Sequence, residues 1–278
     1  MKKIIYSLCF LLVGMPFQGF SQWVYDDDEK DYKFLVTSIG AGAFLAGRHP
    51  ANYYNGSNEK NSILYVFNNT YWYEQIKQEF NGWEPISYEL PKKMRYKVST
   101  AVGFRFSMNL SPYSSVFLHA NQINLIATDI FTLLFRNPVI SEPIRVVCNI
   151  WGKESRTMLD VGFQSRDETN IPNLEWFYEL GFNMTNTKVK ENSIQIGKQT
   201  FTLMNIGNYV PGQPTYDPLR QSAWGIGILG TIGWRYSVSP RASFDFGATA
   251  YLQDINLEGY KNFHPNFNVF GRLNIIMF

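Results

Sequence analysis

The sequence has few of the residues on which most metal and disulfide sites depend. Its 278 residues include two cysteines and three histidines. Cys9 lies in an apolar N-terminal stretch, so a chain cleaved after that stretch keeps Cys148 alone and forms no internal disulfide. The histidines are scattered and lack the spacing of a zinc site. We therefore expect neither a disulfide scaffold nor a metal centre, and no cofactor.

The chain also lacks a surplus of charge of either sign. Lysine and arginine total 25 and aspartate and glutamate total 23, a formal net charge of +2. Lys2 and Lys3 account for that difference, so the rest of the chain is formally neutral. Binding to nucleic acid needs a basic surplus that neutralises phosphates. We therefore expect no nucleic-acid partner.

Long apolar runs are missing beyond the N-terminus, which resembles a secretory leader in composition. Lys2 and Lys3 precede a short apolar run, and the small residues Gly19 and Ser21 occupy the positions expected before a cleavage site. The run is too short to span a bilayer. This pattern predicts a signal peptide over residues 1–21.

The remaining chain divides in two by composition. Residues 22–32 are strongly acidic, and we interpret them as a solvated periplasmic tail. Residues 33–278 have no stretch of 18 consecutive apolar residues, and so they predict no transmembrane helix. This leaves a soluble exported domain or a membrane barrel, whose signal is alternation instead of continuous hydrophobicity.

Two-residue alternation is the strongest pattern in residues 33–278. Over residues 94–108 apolar side chains take every second position, and the positions between them include Arg95, Lys97 and Arg105. Such a strand exceeds the usual length in a soluble sandwich and suffices to cross a bilayer at a tilt. Clear alternation recurs at residues 176–184, 224–236 and 244–252, and weaker alternation at residues 34–46, 114–127, 157–164 and 267–278.

These segments predict an all-β fold, a transmembrane antiparallel up-and-down barrel of eight strands with long structured extracellular loops. Short turns alternate with long connections, as a barrel with both termini in the periplasm requires. Ten strands remain open, because residues 130–135 and 144–151 also have strand character. The apolar phase slips near Asn121 and Gln122, which predicts a bulge or a wrong strand boundary there.

With its leader, alternating strands and terminal Phe278, the chain resembles the eight-stranded outer-membrane β-barrels of Gram-negative bacteria, the OmpA/OmpX-like type. The resemblance covers residues 33–278 and includes no peptidoglycan-binding domain. It implies residence in the cell outer membrane after leader cleavage, contact with outer-membrane lipid and lipopolysaccharide, and recognition by the barrel-insertion machinery. In that family the terminal aromatic residue, here Phe278, is the insertion signal.

The inward faces of the predicted strands carry charges of both signs. They are Arg95, Lys97, Arg105, Arg235 and Arg272, with Asp160, Glu175, Glu179 and Asp245. An eight-stranded barrel has room only for side chains, so we expect an ion-paired, filled lumen, with Arg235 facing Asp245 across a hairpin. Two alternatives stay open: a conductive path in a wider barrel, and a catalytic cluster of Asp160, Glu175 and Glu179. His119 has Asn121 two residues on, where lipid A-modifying barrels have serine.

The connection over residues 47–93 is long and rich in aromatic residues. Residues 69–80 predict a short helix, capped by Asn69 or Thr70 and stopped at Gly82, and residues 193–203 predict a hairpin turning at Gly197. The connection either folds back as a lid on its own barrel or docks another envelope protein. The candidate partner contacts are Tyr53, Tyr54, Tyr71, Trp72, Tyr73 and Trp83.

Fold alone does not determine function. The pattern favours a non-enzymatic outer-membrane barrel with a structural or protein-interaction role, such as an accessory subunit of an envelope, secretion or motility assembly. The alternative is a porin-like channel or transporter for small solutes. A membrane enzyme is the third candidate.

Overall fold

The computed structural model describes residues 35–136, 142–203 and 221–276. The predicted signal peptide, the acidic tail and Phe278 lie outside these ranges. The strands are β1 (Leu35–Leu45), β2 (Glu84–Glu89), β3 (Arg95–Tyr96), β4 (Ser99–Ser111), β5 (Ser114–Arg136), β6 (Ile144–Glu168), β7 (Leu174–Ile196), β8 (Gln199–Thr202), β9 (Ser222–Ser239), β10 (Ala242–Gln253) and β11 (His264–Ile276). The helices are α1 (Arg48–Ala51), α2 (Leu64–Phe67) and α3 (Thr70–Glu79), with short 3₁₀ turns at Asn52–Tyr54 and Glu59–Asn61.

Eight of these strands form a closed antiparallel ring. Its order is β1, β4, β5, β6, β7, β9, β10 and β11, and β11 pairs back with β1. β2 and β3 pair with β5 outside the ring, and β8 pairs with β7. The expected all-β, eight-stranded barrel is therefore confirmed. Among the described residues, no helix is long and apolar enough to cross a membrane.

The register determines the shape of the barrel. A path through paired residues starts at Leu35 and returns to β1 at Leu45, ten residues further along, by way of Met108, Val116, Phe163, Leu180, Gly230, Ala250 and Phe267. With standard strand spacings this offset tilts the strands by about 40° and gives a radius of about 8 Å. Side chains alone fill an interior of this width.

Apolar side chains cover the outer wall over the first ten or so residues above the short turns. We call this surface the apolar belt; at the tilt above it is about 25 Å tall. Its most exposed members include Val102, Phe104, Phe106, Leu180, Phe182, Ile226, Ile232, Phe246, Val269 and Ile275. Aromatic pairs lie near its turn end, such as Trp176 with Trp234 at 4.5 Å between ring centroids.

Three strands continue far beyond the apolar belt. β5 and β7 have 23 residues each and β6 has 25, so residues 130–135 and 144–151 are extensions of β5 and β6 and add no strands to the ring. The bulge or wrong strand boundary expected near Asn121 and Gln122 is wrong, because β5 continues through both residues and keeps one register with β6 throughout. What changes there is the interior, whose lining turns from polar to apolar.

Arg95 and Lys97 do not face the lumen, and their expected place in its polar network is wrong. Between Tyr96 and Ala101 the chain has one residue more than the facing segment of β5. A shift of one residue turns every subsequent side chain to the opposite face of the strand. Arg95 and Lys97 are accordingly exposed on the outer wall, and Met94 is buried.

Residues 47–94 fold over the open end of the ring, and we call them the cap. Its helix α3 spans Thr70–Glu79, and the Asn69 side chain caps it by accepting from the Trp72 backbone N–H. Asn81 and Gly82 end the helix at positive φ, as Gly82 led us to expect. The predicted hairpin is also confirmed: β7 turns into β8 at Gly197, whose φ is +59°.

Candidate functional site

Asp245 is the centre of a buried ion-pair network in the lower lumen, toward the short turns. It pairs with Arg235 through two bonds, Nε to Oδ1 at 2.8 Å and Nη2 to Oδ2 at 3.0 Å. Arg272 donates to the same carboxylate at 2.7 and 3.0 Å, and Asn274 Nδ2 donates at 2.7 Å. The lone pairs of this fully buried carboxylate are thus occupied, which offsets the large cost of removing its charge from water.

Arg272 extends this network to Glu179. Its Nη2 donates to Glu179 Oε1 at 3.0 Å, and Arg105 Nη1 donates to the same oxygen at 2.5 Å. Gln164 donates a third bond at 2.8 Å. The Arg105 guanidinium also lies 4.0 Å from the centre of the Phe117 ring. The structure thus brings Arg105, Glu179, Arg235, Asp245 and Arg272, five of the predicted lumen residues, into one connected group.

Asp160 and Glu175 belong to separate groups. Asp160 lies higher and accepts from Asn183 at 2.5 Å and from Asn121 at 3.2 Å, with His119 Nδ1 at 3.5 Å. Glu175 lies at the turn end beside Arg166, 4.0 Å away. The three carboxylates considered as a catalytic cluster therefore have different partners.

Space in the barrel is scarce. Beside His119 and Arg272 the described residues leave a void of about 10 Å³, at the lower limit for one water molecule. A larger open depression of about 460 Å³ at the turn end is lined by Arg166, Glu175 and Arg235 and ends against the network. The lower lumen is thus filled by paired side chains.

A second polar group closes the upper lumen, and the sequence pattern had not indicated it. Arg156 Nε donates to Glu154 Oε1 at 2.7 Å, and both side chains are fully buried. Tyr54 of the cap donates its hydroxyl to Glu154 Oε2 at 2.5 Å, and Tyr96 donates to the same oxygen at 3.0 Å. Burial, followed by the charge of Glu154, raises the pKa of Tyr54 well above its ordinary value, so the phenol stays a donor.

The Tyr54 ring needs a glycine beneath it. A Cβ at position 152 would collide with that ring, so Gly152 lets the cap approach the wall of β6. We call Tyr54, Tyr96, Glu154 and Arg156 the clasp, since it joins the cap to the barrel. Among the described residues, the charges in the lumen balance, with five arginines and five carboxylates. They are Arg105, Arg156, Arg166, Arg235 and Arg272, with Glu154, Asp160, Glu175, Glu179 and Asp245.

Above the clasp, the cap shares an apolar core with the long strands. It includes Tyr53, Ile63, Val66 and Ile76 from the cap and Phe131, Phe135, Ile194 and Phe201 from β5, β7 and β8. The cap thus covers its own barrel, one of the two interpretations of the aromatic connection. Cys148 belongs to this core, and burial raises the pKa of its thiol to about 12, which leaves it unreactive.

The candidate partner contacts differ widely in exposure. Tyr53 and Tyr54 are fully buried, so they are core residues and present no contact surface. Trp72 and Trp83 are half-buried against the core, and Trp72 lies edge-on to Phe201 at 5.9 Å. Tyr73 is half-buried, with the Lys77 ammonium 5.9 Å from its ring centre. Tyr71 is 51% exposed and is the one candidate that faces mainly outward.

The closed ring, the filled lumen and the cap define a small antiparallel β-barrel, the architecture that the resemblance to eight-stranded outer-membrane barrels implies. Within the described ranges, no group of three His, Cys, Asp or Glu side chains is arranged to hold a metal.

Known structures include similar chains. Neisserial surface protein A is 9% identical to this chain, with a TM-score of 0.43 over 88% of this chain and 97% of that one. Ail, the attachment invasion locus protein of Yersinia pestis, is also 9% identical, with a TM-score of 0.36 over 88% of this chain and 98% of that one. No protein-family model matches the sequence, and no curated protein does.

Proposed function

We propose that this protein is a non-enzymatic, integral outer-membrane barrel with a structural or protein-interaction role in the envelope. The observation that carries the proposal is the double closure of the lumen, by the ion-pair network below and by the clasp and cap above. A barrel closed at both levels offers solutes no path. What it presents to its surroundings is its outer wall and its cap.

The apolar belt supports insertion into a bilayer. Phe182 is 75% exposed, and similar side chains surround the ring at the same height. So large an apolar surface is unfavourable in water and favourable in lipid, and its height of about 25 Å suits an outer membrane. In this proposal the leader over residues 1–21 is cleaved, Phe278 is the signal for the insertion machinery, and lipid with lipopolysaccharide surrounds the belt.

We expect no ion conductance from the protein in planar bilayers. The buried arginines and carboxylates neutralise one another and fill the lower lumen, so removing the cap alone opens no path. Current is recorded for the full chain and for a variant with residues 50–92 replaced by a short Gly–Ser linker, with a porin as positive control. Discrete steps from the full chain would support the channel alternative instead.

The exposed side of the cap is the proposed surface for a protein partner. Leu64 on α2, Tyr71 on α3 and Ile86 on β2 are apolar or aromatic and exposed, although they lie in the water-facing part of the molecule. Exposed aromatic and aliphatic residues are common anchors at protein interfaces. The partner we propose is another envelope protein, which makes this chain an accessory subunit of an envelope, secretion or motility assembly.

Replacing Leu64 and Tyr71 together by Asp is expected to abolish co-purification of a stoichiometric partner, because two charges then occupy the apolar contact. The tagged chain is isolated from native outer membrane in mild detergent, and its partners are quantified by mass spectrometry. The matched control places Asp at Tyr113 and Ile171, an aromatic and an aliphatic residue that are similarly exposed but lie at the turn end. Heat-modifiable gel mobility verifies folding, and an unchanged partner yield from the cap variant would contradict the proposal.

A further inference from the structure

Two histidines connect the start of the cap to the rim of the barrel. His49 lies on α1, and His264 is the first residue of β11, above the apolar belt. Their imidazole rings stack, with centroids 4.4 Å apart and planes 22° apart. Tyr260 lies edge-on to His49 at 5.4 Å between ring centroids. We call His49, Tyr260 and His264 the histidine latch.

The two imidazoles have different surroundings. His49 is exposed, whereas His264 is half-buried on the same face of β11 as the buried Asn266 and Asn268. The Nε2 atom of His264 is buried and has no hydrogen-bond partner among the described residues. A neutral imidazole leaves only an unused lone pair there, whereas a protonated one leaves a charged N–H without an acceptor, which costs more.

The charges around His264 also oppose its protonation. Burial lowers the pKa of His264 below its ordinary value, and the charges of protonated His49 and of Arg156 on β6 lower it further. Asp254, which follows β10, raises this pKa and offsets them only in part. Arg48 precedes His49 on α1 and adds a positive charge at this edge of the cap. The attached cap therefore favours the neutral form of His264.

The histidine latch lies beside a segment of the cap that the apolar core does not hold. That core begins at Ala51, so residues 47–50 are attached mainly through polar bonds and ring contacts. The Gly47 backbone N–H donates to Asn266 Oδ1 at 2.8 Å, and the Tyr260 hydroxyl donates to the Asn52 carbonyl oxygen at 2.9 Å. This edge can therefore separate while the rest of the cap stays packed.

We propose that the histidine latch is a pH-sensitive attachment, which releases residues 47–50 from β11 in acid. The edge stays attached while the two imidazoles are neutral and stacked. When both are protonated, two positive charges face each other at contact distance, with Arg48 and Arg156 nearby, and residues 47–50 move away from β11 into water. Release needs no partner on the cap, so it goes beyond the proposed function.

The direction of the pH dependence follows from the two states of His264. In the released state its pKa is the ordinary value of about 6.5, and in the attached state its pKa is lower. Protons therefore bind the released state more tightly. Attachment is complete above about pH 6.5 and is lost as the pH falls through the lowered pKa.

The protection of the Gly47 and Asn52 amides against hydrogen exchange is expected to fall about tenfold between pH 7.5 and pH 5.0, because release is linked to two protonations. Both amides report on this edge, since Gly47 donates to Asn266 and Asn52 donates to the His49 carbonyl oxygen. Protection is measured by NMR on the full folded chain in detergent micelles and corrected for the intrinsic pH dependence of exchange. The Tyr73 amide in α3 is the internal reference, and we expect its protection to change less than about twofold.

Replacing His264 by Phe is expected to abolish this pH dependence, because phenylalanine keeps a ring in the stack and carries no charge. His49→Phe changes an exposed position and leaves the interior intact, and it should leave only the weaker dependence that comes from His264 alone. The matched control is His119→Gln, which removes the third histidine of the chain and should leave the tenfold fall unchanged.

Constant protection of Gly47 and Asn52 in the wild-type chain would contradict the latch, and so would an undiminished fall in either Phe variant. If His264→Phe does not fold, His49→Phe decides alone. An equal loss of protection at Tyr73 would mean that acid loosens the whole cap, which would also overturn the assignment to the two histidines.

Discussion

Replacing Asp245 by Ala is expected to lower the free energy of unfolding by about 3–5 kcal/mol, the usual cost of removing one partner from a buried ion pair. Arg235 and Arg272 both donate to this carboxylate, and Asn274 does so as well. Without it, Arg235 and Arg272 lose the carboxylate that they share, and two buried positive charges are left to repel each other. Glu179 compensates only in part, because it already accepts from Arg105 and Arg272.

The measurement is equilibrium unfolding in denaturant of the barrel refolded into lipid vesicles, extrapolated linearly to zero denaturant. Removal of an exposed carboxylate by Glu84→Ala on β2 is the control, and we expect a change within about 0.5 kcal/mol. An equally small effect of Asp245→Ala would mean that the lower lumen is hydrated and that its charges do not hold it closed.

A double-mutant cycle separates the ion pair from simple loss of packing. Asp245→Asn alone leaves Arg235 charged and poorly paired, while Arg235→Gln added to it removes the orphaned charge. The double variant should therefore be more stable than the sum of the two single changes by about 1–3 kcal/mol.

The sequence predicts the ring well because, inside the belt, each strand has lipid-facing and lumen-facing positions of opposite polarity. Arg235 and Asp245 illustrate this: each occupies a polar position between two aromatic residues of its segment, and β9 and β10 pair the two directly across the hairpin. The eight-stranded count follows from the same alternation.

Above the belt that polarity rule no longer holds, and the predictions lose accuracy there. The interior of the long strands is the apolar core of the cap, so Ile123 and Leu125 face inward where a membrane strand would have polar residues. In the sequence, this reversal has the pattern of a bulge or of a wrong strand boundary near Asn121 and Gln122. The actual irregularity, one extra residue between Tyr96 and Ala101, leaves no mark in polarity, and it turned Arg95 and Lys97 outward.

The sequence does not indicate the clasp, for a related reason. The strand that alternation predicts over residues 157–164 excludes Arg156 and Glu154, which share the inward face of β6 with Asp160. Residues 153–157 are all polar, so polarity alone does not distinguish the inward positions of this stretch from the outward ones. The burial of Tyr53 and Tyr54, by contrast, depends on contacts with distant strands, and neither alternation nor aromatic density distinguishes them from the exposed Tyr71.

A charged residue at the middle of the belt gives a direct test of membrane insertion. Leu180→Arg is expected to lower the free energy of unfolding in lipid vesicles by about 2–4 kcal/mol, since arginine is costly on the lipid face near the bilayer midplane. Leu180 faces outward on β7 and is 63% exposed, so the change disturbs little of the protein interior. The cost arises in the surrounding lipid.

Val147→Arg is the matched control, because Val147 is 64% exposed on the outer wall of β6 but lies well above the belt. Its arginine faces water, and we expect a change within about 0.5 kcal/mol. The two variants add the same charge at positions of equal exposure, so a difference between them measures the surrounding medium. Equal costs would mean that lipid does not cover the belt at Leu180, and the proposed insertion would fail.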